Sequence, residues 1–345
     1  MLMIRISDIA KELGLSRVTV SAILNGRHQK IGISEKTAQR VRSSAKAMGY
    51  LPNQNALSMK RGRSMTIGML SSALSEEWGA KILVGALSAI KNTPYSLRVE
   101  SVQGAAEERG ALERLLGSRI EGLLCCNINP TAEMNDFFKL ATERYKVAVV
   151  STNCSFDFDH MRVESDGMGA VASLMEHLVR HGHRRIVHIG GDEGSEVSRE
   201  RVQAFLSSVQ SYQLDPKLCA VYYSHWQIDR ARTLARDLLQ SAQRPTAVVC
   251  ANDSIAACTL QIAQELKIKV PQDLSVVGMT NERFCHLTTP QITTVDIPEE
   301  QIGRAAVQAL LESIEAKENE VSTIVQRLPC TLEVRGSSGV ALRNA

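Results

Sequence analysis

The sequence predicts an α/β protein in which a small all-helical headpiece precedes a core of two doubly wound parallel-sheet lobes. Three observations predict it. Residues 6–26, ISDIAKELGLSRVTVSAILNG, fit two short amphipathic helices joined by a glycine turn. Residues 1–64 hold 12 Lys and Arg against 3 acids, a net of +9, whereas the other 281 residues carry −6. From residue 65 onward, apolar strand-like runs alternate with helix-length amphipathic segments, the pattern of parallel sheets covered on both faces.

In the headpiece, Ser7 suits an N-cap, Asp8 suits the positive end of a helix dipole, and Gly14 supplies a left-handed terminator. Ser16 caps a second helix over residues 17–25, which Gly26 closes. Ile9, Leu13, Val20 and Leu24 face inward, leaving Arg17, Val18, Ser21 and Ala22 on the outer, N-terminal part of the second helix. A basic surface of this shape can enter a DNA major groove, although an amphipathic hairpin can equally be plain core. Ser34 caps a third helix through Met48, with Ala38, Val41, Ala45 and Met48 on one face. Pro52 forces an extended step into the polar stretch QNALSMKRGRS, where residues 53–60 make a helix only if something packs on them. The expected divisions are a headpiece at 1–50, a hinge at 51–63 and a core at 64–345.

In the core the strand candidates are 65–70, 96–101, 121–128, 146–151, 185–191, 220–224, 246–252 and 274–281. Helical segments such as 78–91, 107–116, 167–181, 199–212, 229–240 and 255–266 lie between them, and the lobes divide near residue 162. The tail, with a helix at 303–317 and a strand near 324–335, crosses back to complete both lobes. This assigns 64–162 and 292–322 to the N-lobe, and 163–291 and 323–336 to the C-lobe. Ligands of such sheets bind beyond the carboxyl ends of the strands, here in an interlobe cleft. Ser71, Glu77, Trp78 and Trp226 are rim candidates because each lies at or just past a strand end; core packing is the competing fate of the tryptophans.

Other chemistry is set aside. The eight dispersed cysteines lack a C-x-x-C and read as buried thiols. His177, His181 and His183 sit where a helix ends, which satisfies terminal carbonyls as well as a metal would. No phosphate-cradle, dinucleotide or nucleophile-elbow motif occurs, and IGGDEGS at 189–195 lacks the lysine of a phosphate loop. No catalytic residue, metal or cofactor is expected. Without a signal peptide or an 18-residue apolar run, a cytoplasmic location with no membrane partner is expected.

The order of motifs resembles the LacI/GalR family of bacterial transcription regulators across essentially the whole chain. The landmarks are SDIAKELGLSRVTVSAILNG, MGYLPN, MTIGML, VESDGMGAVASLMEHLVRHGHRRIVHIGG, TAVVCANDSIA, LSVVGMTN, LTTPQITTVDIPEEQIGRAAVQALL and LPCTLEVRGSSG. The resemblance implies a core of periplasmic-binding-protein type and a repressor that binds pseudo-palindromic operator DNA as a homodimer, under control of a carbohydrate or related small-molecule effector. It assigns base reading to Arg17, Val18 and Ala22, with Ser16, Thr19, Ser21 and Asn25 on phosphates or supporting the helix. It places a minor-groove helix after Asn53, with Ala56 in the usual alanine place and Met59 where a leucine usually wedges. On the effector side it assigns Arg201, Asn252, Asp253 and Asn153. Thr280 and Asn281 replace the acid that sugar-binding members commonly carry after the VVG strand. The alternative is a soluble small-molecule-binding or hydrolytic α/β protein with no DNA function.

Overall fold

The computed structural model describes residues 4–51, 62–128, 130–316 and 325–341. The chain separates into two compact units, residues 1–64 and 65–345.

The first unit is a three-helix headpiece, with α1 (Ile6–Leu13), α2 (Arg17–Leu24) and α3 (Glu35–Ala47) closing on Ile9, Ala10, Val20, Ile23, Ala38, Val41 and Ala45. Leu13 and Leu24 are only marginal to this core; Ile23 occupies the inward place instead. The expected Ser7 cap is corrected. Helix α1 starts two residues earlier, with Arg5 as its N-cap, because the Asp8 carboxylate accepts the Arg5 N–H at 2.7 Å and so satisfies an orphan donor at the helix start. Gly14 takes the left-handed conformation, φ +62, that ends α1 and turns the chain into α2.

In the second unit, six parallel strands form the N-lobe sheet in the order β11-β5-β4-β3-β1-β2. These strands are β1 (Thr66–Ser71), β2 (Ser96–Ser101), β3 (Gly122–Cys126), β4 (Ala148–Thr152), β5 (Met161–Ser165) and β11 (Val325–Leu328). Helices α4 (Glu77–Ile90), α5 (Ala105–Gly117) and α6 (Ala132–Glu143) cover the sheet with α11 (Glu299–Ala316), and its two faces bury separate apolar clusters. The C-lobe sheet is parallel in the order β7-β6-β8-β9. It comprises β6 (Ile186–Gly190), β7 (Val221–Tyr223), β8 (Ala247–Cys250) and β9 (Ser275–Val277), flanked by α7 (Gly167–Arg180), α8 (Glu196–Ser211), α9 (Ile228–Gln240) and α10 (Asp253–Glu265). In each lobe the second strand lies outside the first and the third lies on its other side, so both have a strand-order switch beside their first strand.

The tail departs from expectation in two ways. The 324–335 run is two short strands rather than one, because the chain leaves sheet geometry at Pro329-Cys330. Strand β11 joins the N-lobe sheet beside β5, while β12 (Thr331–Glu333) pairs antiparallel with β10 (Thr294–Asp296). The segment at 292–296 lies with the C-lobe, since Thr293 bridges Val277 and both Ile292 and Val295 enter the C-lobe core. Strand β5 belongs to the N-lobe sheet, so the lobes divide after Ser165 rather than near 162. The chain therefore passes between lobes three times, at β5 to α7, β10 to α11 and β11 to β12.

Where α4 and α11 cross, a Cβ on Gly85 would overlap the Glu300 carbonyl and one on Gly303 the Ile82 carbonyl. Only glycine allows this approach. Seven cysteines are buried and Cys330 partly so, all as free thiols. Among the described residues no helix is long and apolar enough to cross a membrane, and no histidine, cysteine or carboxylate cluster could hold a metal ion.

Candidate functional site

The headpiece presents the outer face of α2. Ser16 caps the helix, its Oγ accepting the Thr19 N–H at 3.0 Å and lying 2.9 Å from the Thr19 hydroxyl. At the other end the Asn25 amide donates to the Ser21 carbonyl at 2.5 Å and approaches the Ser21 hydroxyl at 3.3 Å. Ser16, Thr19, Ser21 and Asn25 thus stiffen the two ends of α2. Between them Arg17 is exposed without an ion pair or side-chain hydrogen bond among the described residues, Val18 is 76% exposed, and Ala22 is half-buried. Behind this face the buried His28 ring lies 2.8 Å from Glu35, which Arg42 also binds at 2.8 Å. These partners lower the Glu35 pKa, the His28 hydrogen bond most, and pin the 27–33 loop onto α3. The expected hinge contacts Asn53, Ala56 and Met59 lie outside the described residues.

In the core a cavity of about 420 Å³ opens between the lobes. Asn153, Arg162, Glu164 and Arg327 line it from the N-lobe sheet, and Glu196, Arg199, Glu200 and Arg201 from α8 of the C-lobe. Arg162 and Glu164 are two apart on β5, so both point to the same face, and their side chains bond at 2.7 Å. Arg162 also reaches Glu196, the first residue of α8, at 2.6 Å and so bridges the lobes. A second bridge joins α4 to the loop after β9, where the Arg283 N–H donates to Glu77 at 3.2 Å. Arg201 lies at the C-lobe strand-order switch. It is 7% exposed and donates to the Ala251 carbonyl just past β8, while its Nε has no partner. Burial lowers its pKa.

Of the nine residues expected to bind an effector, only Asn153 and Arg201 reach this cavity. Asn252 caps α10, its Oδ1 accepting the Ile255 N–H at 2.9 Å. Asp253 is corrected outright. It is fully buried and accepts from the Thr280 hydroxyl at 3.1 Å, the Glu282 N–H at 3.0 Å and the Thr294 hydroxyl at 2.6 Å. The carboxylate ties β8, β9 and β10 together and lies buried outside the cavity lining, and Thr280 is committed to it. Ser71 is buried and accepts the Ala73 N–H, Trp78 packs on the N-lobe core, and Glu77 spends its carboxylate on Arg283 and Lys81. Trp226 is 37% exposed and lies over Gly191 so closely that a Cβ there would overlap its ring. Arg162, Glu164, Glu196, Arg199 and Arg327 escaped the sequence reading. For the first two, the R-x-E alternation in MRVES was the available signal.

Two family models match. One described as bacterial regulatory proteins, lacI family, covers residues 5–53, and one described as a periplasmic binding protein-like domain covers residues 175–338. The chain belongs to the LacI/GalR family of bacterial regulatory proteins. Among LacI/GalR relatives, the chain is 28% identical over 319 residues to the HTH-type transcriptional repressor PurR of Vibrio cholerae, which spans 92% of this chain and 94% of that protein. It is 26% identical over 339 residues to the NTD biosynthesis operon regulator NtdR of Bacillus subtilis, across 96% and 99%. The fold matches a lac repressor dimer bound to operator and the anti-inducer ONPF with a TM-score of 0.84, at 22% identity over 98% of this chain and all of that one. It also matches the regulator CelR in complex with cellobiose, at a TM-score of 0.71 and 24% identity over 97% and 99%. These relatives are repressors and regulators rather than enzymes.

Proposed function

We propose that this LacI/GalR member is a cytoplasmic transcriptional repressor that binds operator DNA as a homodimer and is controlled by a small molecule held between its core lobes. The observation that carries the DNA reading is the outer face of α2, where Arg17 and Val18 stand exposed and unpartnered between two braced helix ends. In this reading Arg17 forks onto guanine O6 and N7, Val18 packs on a thymine methyl, and Ala22 adds an apolar contact. Ser16, Thr19, Ser21 and Asn25 hold α2 in register and reach phosphates, while Asn53, Ala56 and Met59 enter the minor groove. The small molecule biases the lobe arrangement, and the operator responds only to the difference in its affinity for the two arrangements. By analogy with a cellobiose-bound and a ribose-bound relative in structure, the effector is sugar-like.

The test is selection of bound DNA from a random pool with the full chain, followed by titration of the selected duplex. A pseudo-palindromic consensus bound by a dimer is expected. Enrichment of no sequence, or equal affinity for random duplex, would refute the reading.

A further inference from the structure

We propose that the interlobe cavity is built for an effector bearing an acid group, a carboxylate or a phosphate, gripped by Arg199 and Arg201. The proposal rests on the cleft being the effector site and adds the ligand's charge.

The arginines of this cavity fall into two pairs. Arg162 is matched by Glu164 and Glu196, and Arg327 lies 3.9 Å from Glu164. Among the described residues Arg199 and Arg201 make no ion pair, and Arg201 feels Glu200, Asp253 and Glu299 only at longer range. The Arg199 side chain donates only to the carbonyls of Gly194 at 2.7 Å and Glu193 at 3.4 Å. That of Arg201 donates only to the Ala251 carbonyl, with Nε buried and unpartnered. Among the described residues no carboxylate lies within ion-pair distance of either. A guanidinium 93% withdrawn from water with an idle donor is costly to the empty protein unless something else supplies the counter-charge.

The surroundings favour an anion. Helices α7 and α8 both begin at the cavity, through Gly167, Met168, Glu196 and Val197, with the Asp166 carboxylate already capping α7 and Glu196 in the first turn of α8. Glu200, the nearest acid in sequence, packs against Gly167 and makes no ion pair among the described residues; burial raises its pKa, with Arg327 and Arg201 opposing the rise. The position after the VVG strand, where a carboxylate could grip paired sugar hydroxyls, holds Thr280 and Asn281, and the buried Asp253 is consumed by Thr280, Glu282 and Thr294. The planar fork of arginine matches the oxygens of a carboxylate or a phosphate.

The experiment titrates the full chain, alone and on its selected operator, with inorganic phosphate, gluconate, glucose 6-phosphate and glucose. Ionic strength is held constant with chloride. At least one anion should raise Tm saturably, by about 3 °C or more at tenfold excess over Kd, with glucose giving less than a third of that. The gluconate and phosphate arms tell a carboxylate from a phosphoryl group. Arg201→Gln and the exposed Arg199→Gln should each cut the anion's affinity at least tenfold, and the second variant keeps the test valid if the first folds poorly.

No saturable rise with any anion overturns the proposal. So does a rise that survives in both variants, or glucose stabilising as strongly as the acids. Operator affinity separates this from the regulator reading. If anions bind through Arg199 and Arg201 but leave DNA affinity unchanged, the acid site stands and the ligand switch falls. If glucose alone shifts DNA affinity, the switch stands and the acid site falls.

Discussion

Glu299, the first residue of α11, is the most uncomfortable acid in the core. It is 4% exposed, its Oε1 has no partner, and burial lifts its pKa from 4.5 to about 8 against the helix-start N–H that favours the charge. Lys81 opposes the rise, while Asp296 and Glu282 add to it. The folded chain therefore holds a proton that the unfolded chain has released at neutral pH. Stability is unaffected below the unfolded pKa near 4.5, falls as pH rises from there to about 8, and levels off above. At 1.36 kcal/mol per pH unit, holding Glu299 neutral at pH 7 costs about 3 kcal/mol, and the loss above pH 8 approaches 5 kcal/mol as an upper bound. Glu299→Gln keeps the shape and removes the titration. Urea unfolding of both chains at pH 5, 7 and 8.5 should show the variant nearly equal at pH 5, more stable by up to about 3 kcal/mol at pH 7, and further ahead at pH 8.5. A gain that does not change with pH, or none at pH 8.5, would refute the reasoning.

Three further outcomes are expected. Arg17→Ala should weaken binding to the selected operator by about 1–3 kcal/mol in a fluorescence-anisotropy titration while barely changing affinity for random duplex; equal losses would make Arg17 a phosphate contact. Gly303→Ala, which in an open helix would stabilise by roughly 1 kcal/mol, should instead destabilise the core by about 2–3 kcal/mol because its methyl meets the Ile82 carbonyl; a rise in the urea midpoint would contradict the α4–α11 crossing. Asp253→Ala should cost about 3 kcal/mol in unfolding, because it strands two buried hydroxyls and a backbone N–H; unchanged stability with lost ligand binding would restore Asp253 to the binding site.

The headpiece and the strands of the core were legible because their signals are local. Caps, a glycine turn and a face of small apolar residues specify three short helices, and short continuous apolar runs such as GLLCC and AVVC, alternating with helix-length segments, fit covered strands. What stayed hidden is set by partners distant in sequence. Nothing in TAVVCANDSIA reveals that Asp253 turns inward, since its donors come from residues 280, 282 and 294. MRVES is too short and too polar to stand out as a strand until β4 and β11 flank it. Arg162 and Glu196 are 34 residues apart, and only the lobe arrangement brings them together. The Ser7 reading failed for a smaller reason: the Asp8 side chain reaches back to the Arg5 N–H, which sets the N-cap at Arg5 and takes Ser7 into the first turn.

The three passages of the chain between the lobes have a consequence for how the protein is made. The N-lobe sheet takes its edge strand from residues 325–328 and a covering helix from 299–316, so it is incomplete until more than nine-tenths of the chain has left the ribosome. The C-lobe waits for residues 331–333 to pair with β10. Among the described residues, helices α1 to α3 draw nothing beyond residue 50 into their own core. During synthesis the basic headpiece can therefore fold and meet polyanions while the core is still an open set of unpaired strand edges, the stage at which such a chain is most exposed to aggregation.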